Sequence, residues 1–341
     1  MPPAGWSWLL VPAAGVITLL VTPVLRKYLV GRGMVDLPDT RRSHQVPTPR
    51  GGGLAMLAGL LPVLLILAWF DDSIIILTVF VSALALVGWL DDRMDLPIML
   101  RMGVQGALAV LLLWSVRGID SLALGSYVLD APVLLTVLAF LAVVWLINLH
   151  NFMDGADGLA STQGAWSGLL FGVIFLRAGQ SVLALACFAV STVCLGFLVW
   201  NRPPARLFMG DTGSLLIGGV VAWMVVVSFA VADVSPWVSL ILTSVFVVDT
   251  TLTLVRRVSR GERWYTPHRQ HAYQRLIASG WGHGQVLRLY AGANLLIVLP
   301  AAWAALRFPQ LDAWLAAFLL ALLTMLWSKI QAATNGVQTT A

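Results

Sequence analysis

Three short runs of this 341-residue chain gather carboxylates and amides in a way that ordinary loops seldom do. The first, Gly88-Trp89-Leu90-Asp91-Asp92-Arg93-Met94-Asp95, packs three acids into five residues at the end of an apolar stretch. Carboxylates at the mouth of an apolar helix are costly unless they are paired or hold a cation. An all-oxygen cluster suits a hard ion such as Mg²⁺, bound together with substrate phosphates. Asp95 also has an ordinary use, at the start of the helix that follows. The second run carries Asn148, Asn151, Asp154-Gly155 and Asp157-Gly158, with a polar residue at every third position. These side chains share one face if a helix persists, whereas the Asp-Gly pairs call for tight turns with positive φ. On either reading two amides and two acids converge. The third, Gly210-Asp211-Thr212-Gly213-Ser214, sets an acid between glycines at a helix start. There it can cap the helix, or a ligand can approach closely where no Cβ intervenes.

The basic counterparts lie in two longer segments. One runs from Asp36 through Arg41, Arg42, His44, Thr48 and Arg50 to Gly51-Gly52-Gly53. Arginines recognise phosphate, and glycines opening a helix let its N–H groups approach an anion. A basic loop with a flexible entry is the plainer account. The other holds Arg256, Arg257, Arg260 and Arg263, then His268-Arg269-Gln270-His271 and Arg275. His268 and His271 lack the Cys or Glu partners of a zinc site, so anion binding beside Arg269 is the expectation. Arg256 and Arg257 suit a helix end resting on anionic lipid. Asp249 is an acid within an apolar run and so a functional candidate, although neutralising nearby Arg256 is a simpler use. His283, alone beside glycines, reads as a loop residue.

The elements that must position these residues are membrane helices. Hydrophobic residues make up 59% of the chain and charged ones 11%, where a soluble domain has about 25% charged. That much apolar side chain cannot be hidden from water at this length, so the solvent is lipid. Eleven apolar runs are predicted as helices, at about 7–25, 53–70, 74–90, 99–116, 133–149, 164–177, 182–200, 213–232, 237–255, 285–306 and 313–329. The fold class is all-α, a polytopic integral membrane protein, with one transmembrane catalytic domain at 1–330 and a short polar tail at 331–341. The first run is no cleaved signal peptide, because Arg26 and Lys27 follow the apolar stretch instead of preceding it. With the 26–52 loop in the cytoplasm, only Arg117, Arg177 and Arg307 of the 21 Lys and Arg fall outside. The five polar segments then share the cytoplasmic face. The net charge of +5 follows that bias, with no nucleic-acid partner implied. Cys187 and Cys194 stand seven residues apart in one helical run, about 10 Å, too far for a disulfide.

In this order and register the segments resemble those of the polyprenyl-phosphate N-acetylhexosamine-1-phosphate transferases, the glycosyltransferase family 4 type. The likeness runs from about residue 34 to 276. It implies catalytic roles for Asp91, Asp92 and Asp211, with Asp211 and Asp154 as ligands of Mg²⁺ (Mn²⁺ being the alternative ion). Asp91 and Asp92 would stand at the lipid phosphate, one of them deprotonating it. Asn148, Asn151, Asp154 and Asp157 would face the nucleotide and pyrophosphate. His268, Arg269 and His271 would contact a UDP-N-acetylhexosamine, and His44, Thr48 and Arg50 would complete the substrate-binding set. The implied reaction is attack of undecaprenyl phosphate on the β-phosphorus of the UDP-sugar with loss of UMP. It would run on the cytoplasmic face of a bacterial inner membrane, in a monomer or a homodimer.

Two departures narrow the branch. The peptidoglycan members carry Asp-Asp-x-x-Lys and a run of three histidines, where this chain has Asp95 and His268-Arg269-Gln270-His271. Those variants stand closer to the enzymes that initiate O-antigen and related surface polysaccharides, so a muramyl-pentapeptide donor is the alternative. A secondary transporter would want ionisable groups near the bilayer midplane, and here the acids crowd at helix ends. The Asp-Gly-x-x-Ala-Arg signature of a CDP-alcohol phosphotransferase is absent, since Leu159, Ala160 and Ser161 follow Gly158.

Overall fold

The computed structural model describes residues 5–36, 47–124, 127–263, 266 and 268–334. His44 lies outside the described residues. Each predicted run is a helix: α1 (Leu10–Gly31), α2 (Gly53–Leu67), α3 (Asp72–Met94), α4 (Ile98–Ser115), α5 (Pro132–Phe152) and α6 (Leu159–Arg177). They continue with α7 (Ser181–Asn201), α8 (Gly210–Ala232) and α9 (Pro236–Ser259), then, after a seven-residue α10 (Ala272–Ala278), α11 (His283–Arg307) and α12 (Asp312–Ala333). Ten are long and apolar enough to span a membrane, and α2 is apolar but has only 15 residues. The chain is a multi-pass membrane protein.

The helix ends explain where the expectations slip. Asp71 caps α3 by accepting from the Ser73 N–H at 2.9 Å, and Pro132 and Pro236 open α5 and α9, where a missing N–H costs nothing. At its far end α3 continues through Asp91 and Asp92, and Asp95 follows as its C-cap at φ 49°. Asp95 therefore ends one helix and does not start the next. Beyond the predicted helical limit, α12 runs to Ala333, with Gln331 and Thr334 buried, so the polar tail is shorter than expected. Two small antiparallel ribbons are added, β1 (Val35–Asp36) with β2 (Thr48–Pro49), and β3 (Ser121–Leu124) with β4 (Tyr127–Asp130).

Large apolar side chains sit on both sides of these helices. Phe80, Phe171, Phe175 and Trp223 fill the interior, while Leu20, Leu86, Leu141, Trp314 and Phe318 point outward. An apolar exterior on helices this long faces lipid. Trp69 and Trp114 are exposed at helix ends, as an interfacial belt requires. The two cysteines are free and buried.

Helix α8 is the axis of the bundle, with its length almost wholly buried. α3 packs against its first turn so closely that a Cβ on Gly88 would lie 2.3 Å from the Asp211 carbonyl oxygen. Small residues of this kind let helix backbones approach within a membrane. The contact sets the Asp91-Asp92 pair directly beside Asp211, 120 residues away in the chain.

Candidate active site

One face of the bundle holds a cavity of about 730 Å³ where the ends of α3, α4, α5, α8 and α10 meet. Its acidic wall begins with Asp92, whose carboxylate accepts from the Asp211 N–H (3.0 Å), the Thr212 N–H (3.1 Å) and the Thr212 hydroxyl (2.7 Å). Asp92 thus caps α8, satisfying N–H groups that have no partner within the helix. Asp211 is left out of the capping. Its Oδ1 accepts from Asn151 Nδ2 at 2.8 Å, and the same amide reaches Ser214 Oγ at 3.0 Å. Asp91 is buried and bound on both oxygens, by the Leu96 N–H (2.7 Å) and by Arg101. The Arg101 guanidinium also stands 3.7 Å from Asp211 Oδ2. Arg50 closes this side by donating to the Asp92 carbonyl oxygen at 2.6 Å.

Between the walls lies the turn that joins α5 to α6. α5 ends at Phe152, and only the second Asp-Gly pair adopts the expected turn, with Gly158 at φ 76°. Gly155 serves a different need, since a Cβ there would sit 2.2 Å from the Tyr273 hydroxyl. Asp157 is fully engaged. Its Oδ2 accepts from the Ala205 N–H at 2.9 Å, and its own N–H donates to His283 Nδ1 at 3.1 Å. Asn201 ties the same turn to the α7–α8 loop, accepting from the Gly158 N–H and donating to the Leu207 carbonyl. The Asp154 carboxylate differs from all of these, because it accepts no hydrogen bond from a described residue and lines the cavity. Desolvation first, then the charges of Asp211, Asp92 and Asp157, push its pKa well above the usual carboxylate range. A carboxyl so placed holds its proton to higher pH than an exposed one, and a cation beside it would reverse the shift.

The basic wall comes from the segment between α9 and α10. His268, Arg269 and His271 all line the cavity, and the two imidazoles pack with their centroids 4.8 Å apart. Burial, reinforced by the neighbouring ring and Arg257, lowers His268 to about 3. Burial likewise lowers His271 to about 3, against the pull of Asp249. At neutral pH both rings are uncharged hydrogen-bonding groups, and the positive charge of the cavity resides on Arg50, Arg101 and Arg269. The histidines are therefore not themselves cations awaiting an anion.

The structure brings together most of the residues that the sequence singles out, and moves some aside. Asp92, Asp211, Asn151, Asp154, Asp157, Arg50, His268, Arg269 and His271 line one cavity. Asn148 lies deeper, where its amide donates to Gln105 and ties α5 to α4. Thr48 is buried in the β1–β2 ribbon and Asp95 is exposed. Two N–H groups of the glycine entry are already spent and not offered to an anion: Gly52 donates to the Phe208 carbonyl and Gly53 to the Met209 carbonyl, both at 2.9 Å. Arg257 turns inward to Glu262 at 3.1 Å, and Arg256 donates to Gln331, so neither simply rests on lipid. Arg101 and His283 are the site residues that sequence reasoning missed. The cue for Arg101 was a lone cation one turn into a helix that follows two acids.

No three His, Cys, Asp or Glu side chains gather as metal ligands among the described residues. Among the described residues, Asp154 faces the cavity with no hydrogen bond to its carboxylate, and Asp211 spends Oδ1 on Asn151 while Oδ2 stays 3.7 Å from Arg101. That is the donor set of an ion completed by waters and substrate phosphates.

Comparison with known proteins gives the family. Residues 74–229 match the family model described as glycosyl transferase family 4. The decaprenyl-phosphate N-acetylglucosaminephosphotransferase of Mycobacterium tuberculosis is 32% identical over 80% of this chain and 76% of its own length. The undecaprenyl-phosphate alpha-N-acetylglucosaminyl 1-phosphate transferase of Yersinia pestis is 30% identical over 88% and 85% respectively. The phospho-N-acetylmuramoyl-pentapeptide-transferase of a Picosynechococcus species is 29% identical over 86% and 85%. With its carboxylates converged at the end of α8 and these relatives along most of its length, the chain belongs to the polyprenyl-phosphate hexosamine-1-phosphate transferase superfamily and is a glycosyl-1-phosphate transferase.

Proposed function

We propose that this enzyme transfers N-acetylhexosamine-1-phosphate from a UDP-sugar to undecaprenyl phosphate, on the cytoplasmic face of a bacterial inner membrane. The product would be the diphosphate-linked sugar that initiates O-antigen or a related surface polysaccharide. The observation that carries the reading is the division of labour among the four converging acids. Asp91 and Asp92 spend their oxygens on Arg101 and on the start of α8, whereas Asp154 and Asp211 keep lone pairs facing the cavity.

Phosphoryl transfer depends on in-line positioning and charge neutralisation more than on covalent help. Asp154 and Asp211 are the residues that would hold Mg²⁺, which when bound supplies charge neutralisation at the pyrophosphate. Arg101, oriented by Asp91, faces the phosphate of the lipid acceptor. Arg50 supports that wall from the other side of Asp92. An oxygen of the lipid phosphate attacks the β-phosphorus, a new P–O bond forms, and the bond to UMP breaks. His268 and His271 donate neutral hydrogen bonds to the sugar-nucleotide, with Arg269 as the charged fork beside them. Asn151 holds Asp211 in place through its amide. A neutral donor wall suits a donor whose charge sits on the pyrophosphate and not on the sugar.

The test supplies the purified protein in nanodiscs with undecaprenyl phosphate, Mg²⁺ and UDP-N-acetylglucosamine or its 6-deoxy relatives, beside UDP-muramyl-pentapeptide. UMP release with the simple donors is expected. Faster turnover of the pentapeptide donor returns the chain to peptidoglycan synthesis, and no UMP from any donor removes the reaction. A carboxyl-terminal fusion to a reporter active only in the periplasm is expected to be silent, and an active fusion would reverse the orientation.

A further inference from the structure

Asp249 lies in α9, 3% exposed, just past the middle of an apolar span, between Val248 and Thr250. An acid there is expensive. Arg256 does not offset the cost, because it donates to Gln331 at 2.5 Å. Asp249 instead spends Oδ1 on the start of α10 and Oδ2 chiefly on Tyr290 of α11. Oδ1 accepts from the Ala272 N–H at 2.7 Å and lies 3.9 Å from His271 Nδ1. Oδ2 accepts from the Tyr290 hydroxyl at 2.6 Å and, more weakly, from the Tyr273 N–H at 3.5 Å. Three elements, α9, α10 and α11, therefore meet on one carboxylate.

The chain of contacts continues to the opposite side of the cavity. The Tyr273 hydroxyl donates to the Phe152 carbonyl at the end of α5, 2.9 Å away and two residues before Asp154. Tyr273 also packs its ring against His271, with centroids 5.9 Å apart and planes 10° from parallel. A seven-residue helix is too short to hold itself, so its distance from α5 is set by what it is bonded to.

We propose that Asp249 is a positioning residue for the donor side of the cavity. Its carboxylate fixes the first turn of α10, and with that turn the backbone position from which the His271 ring projects. Through Tyr273 it thereby sets the gap between His268–His271 and Asp154. The inference rests on the proposed reaction for its kinetic readout only.

The test compares full-length Asp249→Asn and Tyr290→Phe with the parent protein in nanodiscs. Asp249→Asn is expected to raise the donor KM about tenfold, the scale of a lost hydrogen bond to a charged group, with the acceptor KM unchanged. Tyr290→Phe leaves the two backbone bonds in place, and a rise of about two- to threefold is expected. Amide hydrogen exchange should quicken over 268–278 in Asp249→Asn, while 88–95 and 210–214 keep their protection. An unchanged donor KM with unchanged exchange overturns the proposal. Exchange that quickens equally at all three segments, with both KM values rising together, also overturns it by making Asp249 a general packing residue. A parent protein that turns over no UDP-sugar refutes the proposed function instead, and the exchange experiment then decides the positioning claim alone.

Discussion

The two walls of the cavity are built by different means. The acidic wall is carried on the ends of long, buried helices, and its side chains are fixed by one another. Asp92 binds the start of α8, Asn151 binds Asp211, and Arg101 binds Asp91. The basic wall hangs on a seven-residue helix anchored by single side chains, namely Asp249, Tyr273 and Gln331. On the proposed reaction, charged chemistry that tolerates little displacement would sit on rigid elements, and recognition of the donor sugar on an adaptable one. Function commonly divides this way between scaffold and loop.

That contrast can be broken most sharply at Asp211. Asp211→Asn keeps the size and the Asn151 neighbour but removes the charge facing the cavity. A fall in kcat of about a thousandfold is expected, with a thermal midpoint close to that of the parent. Undiminished turnover, or full activity in excess chelator, would remove the cation from the mechanism. Gly88→Ala is next in size. The added Cβ meets the Asp211 carbonyl oxygen at 2.3 Å and has nowhere to go. A loss of about 1–3 kcal/mol of stability is expected, together with reduced kcat, read from thermal unfolding and UMP release. Normal stability would mean that the wall is looser than its contacts indicate.

A smaller effect tests Asp154. Its folded pKa is raised, so the folded state holds a proton that the unfolded chain has already lost above its ordinary value near 3.8. Stability therefore falls as pH rises through that interval, and a cation that replaces the proton reverses the loss. In chelator, the parent protein should lose thermal stability through this group as pH rises above that ordinary value, and Mg²⁺ should restore more at the high end of the pH range than at the low end. Asp154→Asn should flatten that dependence, and an unaltered Mg²⁺ response in the variant would free Asp154 of the role. The smallest effect concerns the basic wall. His271 stays neutral down to about pH 3 when folded and titrates near 6.5 when unfolded. The unfolded chain takes up the proton first, so stability drops as pH falls between those values. His271→Gln should make the acid slope shallower and should raise the donor KM without altering the acceptor KM. An unchanged slope would show that the ring is solvated.

The chain's polarity pattern was enough to read its class, its eleven apolar helices and the clustering of Asp, Asn and His at helix ends. Those features follow from local physics: a span must be apolar along its length, and glycine, proline and paired acids mark where it stops. The pattern set the polar segments on one face, and the family resemblance implied a shared role for Asp91, Asp92, Asp154 and Asp211. It could not tell which of them would still have lone pairs to offer. That depends on partners far away in sequence, such as Thr212 for Asp92, 120 residues on, and His283 for Asp157, 126 residues on. Tertiary packing alone decided that the Gly52 and Gly53 amides are already occupied, that Arg101 enters the site, and that Asp249 faces α10 and not Arg256. A residue's type states what it can bind. Only the neighbours that the fold brings within about 3 Å settle which of those bonds are already made.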